Sequence, residues 1–157
     1  MLPVLGISMG DPAGIGAEIA VKALANGDWS GKCVPVVIGD RAAMEDAIRF
    51  THANCTLNIV SSPEEAGGER GTIDLIDMGY LAPGSWEYKK VGALAGEAAF
   101  QYVRLGTELA MARRLDALVT GPINKESINL AGHHYSGHTE ILGDLTGLLS
   151  LVLTGLP

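Results

Sequence analysis

Short apolar runs rich in β-branched residues recur along this chain, each closed by glycine or a small polar residue and most followed by a stretch with helical spacing. That alternation constrains the fold more than any other feature. Leu2 to Ser8 (LPVLGIS) is the first run; it opens into a glycine-rich stretch, Met9 to Gly16, after which Glu18 to Ala25 carries apolar residues at helical spacing. Val34 to Ile38 repeats the unit, closed by Gly39-Asp40, with Asp40 placed to cap a helix over Arg41 to Phe50. Thr56 to Val60 and Thr72 to Met78 are further strand candidates, separated by a polar surface loop, Ser61 to Gly71. Val91 to Arg114 predicts the longest helix, with Leu94, Ala98, Tyr102, Leu105, Leu109 and Ala112 near one face and Arg113 and Arg114 at its C-terminal dipole. Asp116 to Thr120 predicts a buried strand lying mid-sheet. Asn124 to Leu130 predicts one or two helical turns, Glu140 to Leu145 a helix start, and Leu148 to Thr154 a final buried strand. Strands alternating with helices are joined by right-handed crossovers, so the expected class is α/β, a mostly parallel sheet with flanking helices.

Charge and composition narrow the partners. A net charge of −7 with no basic stripe removes the attraction that drives binding to nucleic acid or to anionic lipid. A small anion is still accommodated, because helix N-termini and single cations act locally. No apolar run reaches the roughly 18 residues of a membrane span, and no signal peptide opens the chain. The two cysteines, Cys33 and Cys55, lack metal-ligand spacing and are too few for a disulfide framework, which points to a reducing, cytoplasmic setting.

Three stretches carry groups suited to chemistry. Met9-Gly10-Asp11-Pro12-Ala13-Gly14-Ile15-Gly16 joins the first strand to the first helix, and its glycines would let backbone approach a ligand. It is neither a Walker loop, since Ala17-Glu18 follows Gly16, nor a complete dinucleotide fingerprint, whose third glycine would fall at Ile19. A binding role and a plain turn with Asp11 or Gly10 near the helix cap are equally consistent with the spacing. Thr120-Gly121-Pro122-Ile123-Asn124-Lys125 brings a hydroxyl, an amide and an ammonium to a strand end; Lys125 either pairs with a phosphate or carboxylate or stands exposed on a short helix. In the run His133-His134-Tyr135-Ser136-Gly137-His138-Thr139-Glu140, His134 and His138 are four apart, but Ser136 and Gly137 argue for a loop rather than a helical metal pair. His138 and Thr139 sit where that loop becomes a helix. They read either as an anion site beside free N–H groups or as an N-cap, Thr139, followed by a favourable first-turn acid, Glu140.

Together MGDPAGIGAEI, TGPINKESINLAG and HHYSGHTEIL, in this order, resemble the PdxA family, the 4-hydroxythreonine-4-phosphate dehydrogenases of vitamin B6 (pyridoxine) biosynthesis and their relatives. The resemblance implies a two-domain α/β homodimer similar to isocitrate and isopropylmalate dehydrogenases. It also implies a cofactor, NAD or NADP, and a divalent metal (Zn, Mg or Co) that together oxidise, with decarboxylation, a small phosphorylated hydroxy acid. That substrate is 4-phosphooxy-L-threonine or, in the alternative branch, 4-phospho-D-threonate or 4-phospho-D-erythronate. By the same resemblance His138 and Thr139, with Lys125, bind substrate, whereas His133 and His134 match no functional position and are left as loop surface. The family's metal ligands are histidines downstream of the last motif, so no metal ligand, catalytic residue or cofactor contact is assigned among these residues. The expected organisation is a first α/β domain over residues 1–122 and the start of a second over residues 123–157. The chain therefore reads as the N-terminal part of such an enzyme, truncated after its last apolar run, or as a noncatalytic binder of a phosphorylated acid.

Overall fold

The computed structural model describes residues 1–147. Strands β1 (Val4–Ser8), β2 (Val34–Gly39), β3 (Thr56–Ile59), β4 (Thr72–Asp77) and β5 (Ala117–Thr120) form one sheet in the order β3-β4-β2-β1-β5. Every pairing is parallel. Helices α1 (Gly16–Asn26) and α2 (Arg41–Thr51) follow β1 and β2, α3 (Ala93–Met111) leads into β5, and α4 (Lys125–Leu130) and α5 (His138–Thr146) close the described chain. Right-handed crossovers place α1 and α2, which pack on each other, on one face and α3 on the other. The α/β class and the positions of the elements thus match the sequence pattern to within a few residues, and the final strand expected over Leu148 to Thr154 lies outside the described residues.

The core is where the strand runs said it would be. Val36, Val37 and Ile38 of β2 and Leu75 of β4 are fully buried between the layers, with Val21 of α1 and Met44 of α2 closing over them. Buried on both faces, these central strands need continuous apolar runs, which VPVVIG and the centre of TIDLID supply.

Three local expectations are corrected. Asp40 stands at the N-cap position of α2 but its side chain does not cap the helix. Its carboxylate turns inward, 1% exposed, and accepts from the Tyr102 hydroxyl at 2.5 Å and the Leu81 N–H at 3.0 Å. The helix N–H of Arg41 is instead taken by Asp77 at the end of β4, 3.0 Å away. Second, among the described residues β5 is an edge strand rather than a mid-sheet one, pairing with β1, and Val119 is 51% exposed. Third, the buried surface of α3 is wider than the single face expected. Ala98, Tyr102 and Leu109 of that face are buried and Leu105 packs against them, Leu94 and Ala112 at its ends are exposed, and Ala95, Ala99, Phe100, Val103 and Gly106 are buried as well, because α3 has neighbours on two sides, the sheet and the α4–α5 pair. A helix gripped on two sides cannot be located by one apolar stripe. It ends at Met111, and Arg114 leaves the helix end to make a bidentate pair with Glu64 at 2.7 Å.

Burial raises the Asp40 carboxyl above its ordinary value, and the hydrogen bonds from Tyr102 and Leu81 oppose that rise. An acid whose folded-state value is raised binds protons more tightly when folded, so Asp40 costs stability as pH climbs through that range. Tyr102→Phe should therefore cost roughly 1 to 3 kcal/mol at neutral pH, the penalty of a buried carboxylate short of one donor. Urea unfolding of the two proteins reads the difference, and equal midpoints would reject the role given to the hydroxyl.

Candidate functional site

The ends of β1 and β5 are adjacent and parallel, so the loops leaving them meet at the carboxyl edge of the sheet, where open α/β folds place ligand groups. Backbone contacts lock the two loops together. Gly121 N–H donates to Ser8 O at 2.8 Å and Asp11 N–H to Pro122 O at 2.8 Å. Gly10 makes this approach possible: its φ is +82°, and a Cβ there would stand 2.4 Å from the Pro122 carbonyl oxygen and 2.8 Å from Gly121 C. No residue with a side chain fits both the angle and the gap.

Asp11 was not singled out by spacing, yet it is the centre of this junction. It is 5% exposed, and its Oδ1 accepts the Ala13 N–H at 2.7 Å. Burial raises its carboxyl, while Ala13 N–H and the fully buried Ser127 hydroxyl pull the other way. Because Ser127 lies on α4, Asp11 connects the glycine loop to the helix that carries Lys125. The start of α4 is set by Asn124, whose side chain accepts from Glu126 N at 2.9 Å and Ser127 N at 3.1 Å, a local cap of ordinary form. The glycine loop itself ends at Ile15, the residue before α1, so neither Gly10 nor Asp11 caps that helix.

His138 comes to the same edge from α5. Its ring is half-buried and hydrogen-bonded to the Gly121 backbone, and burial lowers its pKa against the opposing effect of that bond. Among the described residues, the buried Nε2 has no hydrogen-bond partner, and the Ser8 hydroxyl, at the end of β1, is in the same condition. Buried polar atoms without partners are rare and cluster where ligands bind. Helix α5 begins at His138 with Gly137 as its N-cap residue, so Thr139 is not the cap; it is exposed in the first turn, with free N–H groups around it. Lys125 is exposed at the start of α4 and makes no ion pair among the described residues.

Beside this junction lies an open cavity of about 560 Å³, walled by Asp11, Ile15, Phe50, Tyr88, Lys89 and Asn124 among others. Lys125, His138 and Thr139 are not among its walls. The sequence-predicted binding residues therefore stand on α4 and α5 outside the cavity walls, which draw on the glycine loop and on Pro122, Ile123 and Asn124 of the loop before α4. His134 is exposed, as expected of loop surface, whereas His133 is not: its Nε2 lies 2.6 Å from Glu97 Oε2 on α3 and its ring stacks on Phe100. No local spacing reveals that pairing, since the partners are 36 residues apart.

Among the described residues no three His, Cys, Asp or Glu side chains converge to hold a metal ion, so these residues do not fit the divalent cation and no step is derived through one. Nor do they form a complete dinucleotide cradle, because Ile19, 48% exposed, stands where the third fingerprint glycine would be. No helix among the described residues is long and apolar enough to cross a membrane.

Comparison with known proteins agrees with this geometry. Residues 31–154 match the family model described as pyridoxal phosphate biosynthetic protein PdxA. The D-threonate 4-phosphate dehydrogenase of Cupriavidus necator is 44% identical over 146 residues, 93% of this chain and 44% of that protein. A Symbiobacterium thermophilum protein provisionally named for the same activity is 47% identical over 145 residues, 92% of this chain and 43% of the relative. The crystal structure of a 4-hydroxythreonine-4-phosphate dehydrogenase from Burkholderia phymatum superposes with a TM-score of 0.89 at 43% identity, covering 94% of this chain and 44% of that one. The chain thus spans less than half the length of the relatives it matches.

Proposed function

The chain belongs to the PdxA family, and from that premise we propose that it supplies the substrate-binding edge of an NAD(P)-dependent dehydrogenase acting on a 4-phosphorylated D-threonate. The curated relatives favour this substrate, the alternative branch of the family resemblance, over the 4-phosphooxy-L-threonine of vitamin B6 synthesis named first. The observation that carries the reading is the meeting of two motif loops at one sheet edge, with His138 of the third motif against Gly121 and its buried Nε2 without a partner among the described residues.

In this reading His138 enters as a neutral imidazole, because burial lowers its pKa, and offers Nε2 to a polar oxygen of the substrate. The Thr139 hydroxyl and the N–H groups of the first turn of α5 donate to the anionic end, and Lys125 adds a point charge. When bound, the nicotinamide cofactor supplies the hydride acceptor; these residues bind, orient and exclude water. Residues 1–122 form the first domain and residues from 123 onward open the second, in a homodimer working in a reducing compartment, where Cys33 and Cys55 stay as free thiols.

The test uses the natural polypeptide that contains these residues. With a divalent cation present, it is expected to reduce NAD+ or NADP+ at a higher kcat/KM with 4-phospho-D-threonate than with 4-phosphooxy-L-threonine. The reverse order would return the protein to the vitamin B6 branch, and no reduction with either acid would reject the dehydrogenase reading.

A further inference from the structure

The link between α4 and α5, residues 131–137, carries His138 to the sheet edge, and its course is held from outside the site. The His133 N–H donates to Ile128 O at 3.1 Å, and the His133 carbonyl accepts the Tyr135 N–H at 3.1 Å. On the α3 side, the His133 ring stacks on Phe100 with centroids 3.7 Å apart and planes 15° from parallel. Its Nε2 lies 2.6 Å from Glu97 Oε2. Hydrogen bonds from Gln101 and His133 outweigh the effect of burial and hold Glu97 below the usual carboxylate range. An ionised carboxylate can only accept, so Nε2 of His133 carries the proton.

Tyr135 stacks on Phe100 as well, at 5.8 Å and 11°, and its hydroxyl donates to Asp144 of α5 at 2.5 Å. Ser136 N–H donates to Glu140 at 2.8 Å. Phe100, 6% exposed, belongs to a small cluster with Val103, Ile128 and Ile141, which joins α3, α4 and α5. The His134 side chain is exposed and Ser136 ties its end of the link to Glu140 of α5, so the His133 and Tyr135 rings are what fasten the middle of the link to α3.

We propose that His133 is a positioning residue: clamped between Glu97 and Phe100 of α3, it fixes the link that delivers His138 to the substrate edge, and so sets affinity for the phosphorylated acid without touching it. This rests on the reading of His138 as a substrate contact. A loosened link samples many placements of the imidazole, and binding must then select one. Misplacement by about 1 Å can cost roughly a hundredfold where geometry matters, so an effect of about tenfold to a hundredfold is expected.

The experiment compares His133→Ala, His133→Gln, Glu97→Gln and His138→Ala in the natural polypeptide, with calorimetric binding of 4-phospho-D-threonate, steady-state kinetics and the NMR shifts of the His138 ring as readouts. His133→Ala should raise Kd and KM about tenfold or more while kcat changes by less than about threefold. It should also move the His138 ring resonances in the free protein, which a loss of global stability alone would not do. His133→Gln, which keeps a donor for Glu97, should recover part of the affinity. Glu97→Gln, which leaves the stack intact, should fall between the wild type and His133→Ala and provides the test if His133→Ala does not fold. If His138→Ala abolishes binding while the folded His133 and Glu97 variants keep wild-type Kd and His138 shifts, the positioning role is overturned and the His138 reading stands. If His138→Ala binds as the wild type does, that reading is wrong and the positioning role falls with it.

Discussion

Gly96→Ala is expected to destabilise the protein by on the order of 3 kcal/mol, a large share of the roughly 5 to 15 kcal/mol that holds a domain together. Helix propensity argues the other way, since alanine gains about 1 kcal/mol over glycine inside a helix. The close approach of α3 and α4 decides the sign. A Cβ at Gly96 would lie 1.9 Å from Ser127 O and 2.1 Å from Ser127 C, both backbone atoms, and Ser127 is itself fully buried. Neither helix can yield locally, so α4 must move as a unit, taking Ser127 away from Asp11 and Lys125 away from the sheet edge. Urea unfolding should show the loss in midpoint, and Met111→Ala on the same helix, at a position 60% exposed, should stay within about 0.5 kcal/mol of wild type. A Gly96→Ala protein as stable as its parent would mean that α3 and α4 do not touch as closely as described.

His138→Ala should weaken binding of a phosphorylated hydroxy acid by about tenfold to a hundredfold or more, since a hydrogen bond to a charged group contributes roughly 1.5 to 3 kcal/mol. Stability should change little. The bond to Gly121 is lost, but a buried nitrogen without a partner among the described residues is removed at the same time. The pH dependence follows from the lowered pKa of the ring. In the folded protein the neutral form is favoured, so the stability associated with His138 is present above the ordinary histidine range and is lost as pH falls through it toward the lower folded value. An anionic substrate held at the first turn of α5, beside the ring, favours the charged imidazole, so binding should take up protons and tighten between pH 8 and pH 6. Calorimetry in two buffers of different ionisation enthalpy measures that uptake. Proton-neutral binding, with the same affinity in the alanine variant, would separate His138 from the ligand.

The elements that carry the candidate site residues were legible in the sequence, but unevenly. Loop positions followed from the strand ends, and Lys125, His138 and Thr139 followed from motif resemblance; the structure puts them on the first turns of α4 and α5 around the β1–β5 junction. Asp11 lay within a quoted motif, yet nothing in the spacing showed that a lone acid would be buried against Ser127. Asp40 shows the same limit. Its place before a helix predicts a cap, but Asp77 sits close enough across the sheet to take that N–H, which frees Asp40 to pair with Tyr102 in the interior.

What the residues by themselves determined was the succession of strands and helices, their parallel pairing and the sheet edge where ligand groups gather, because backbone period and crossover handedness are local properties of a chain. Only the tertiary structure decided that a second side of α3 is buried against α4 and α5, why Gly10 and Gly96 must lack side chains, and how His133 reaches Glu97. Those outcomes depend on surfaces brought together from positions up to more than a hundred residues apart, as where β5 meets β1, and no local period encodes which surfaces will meet.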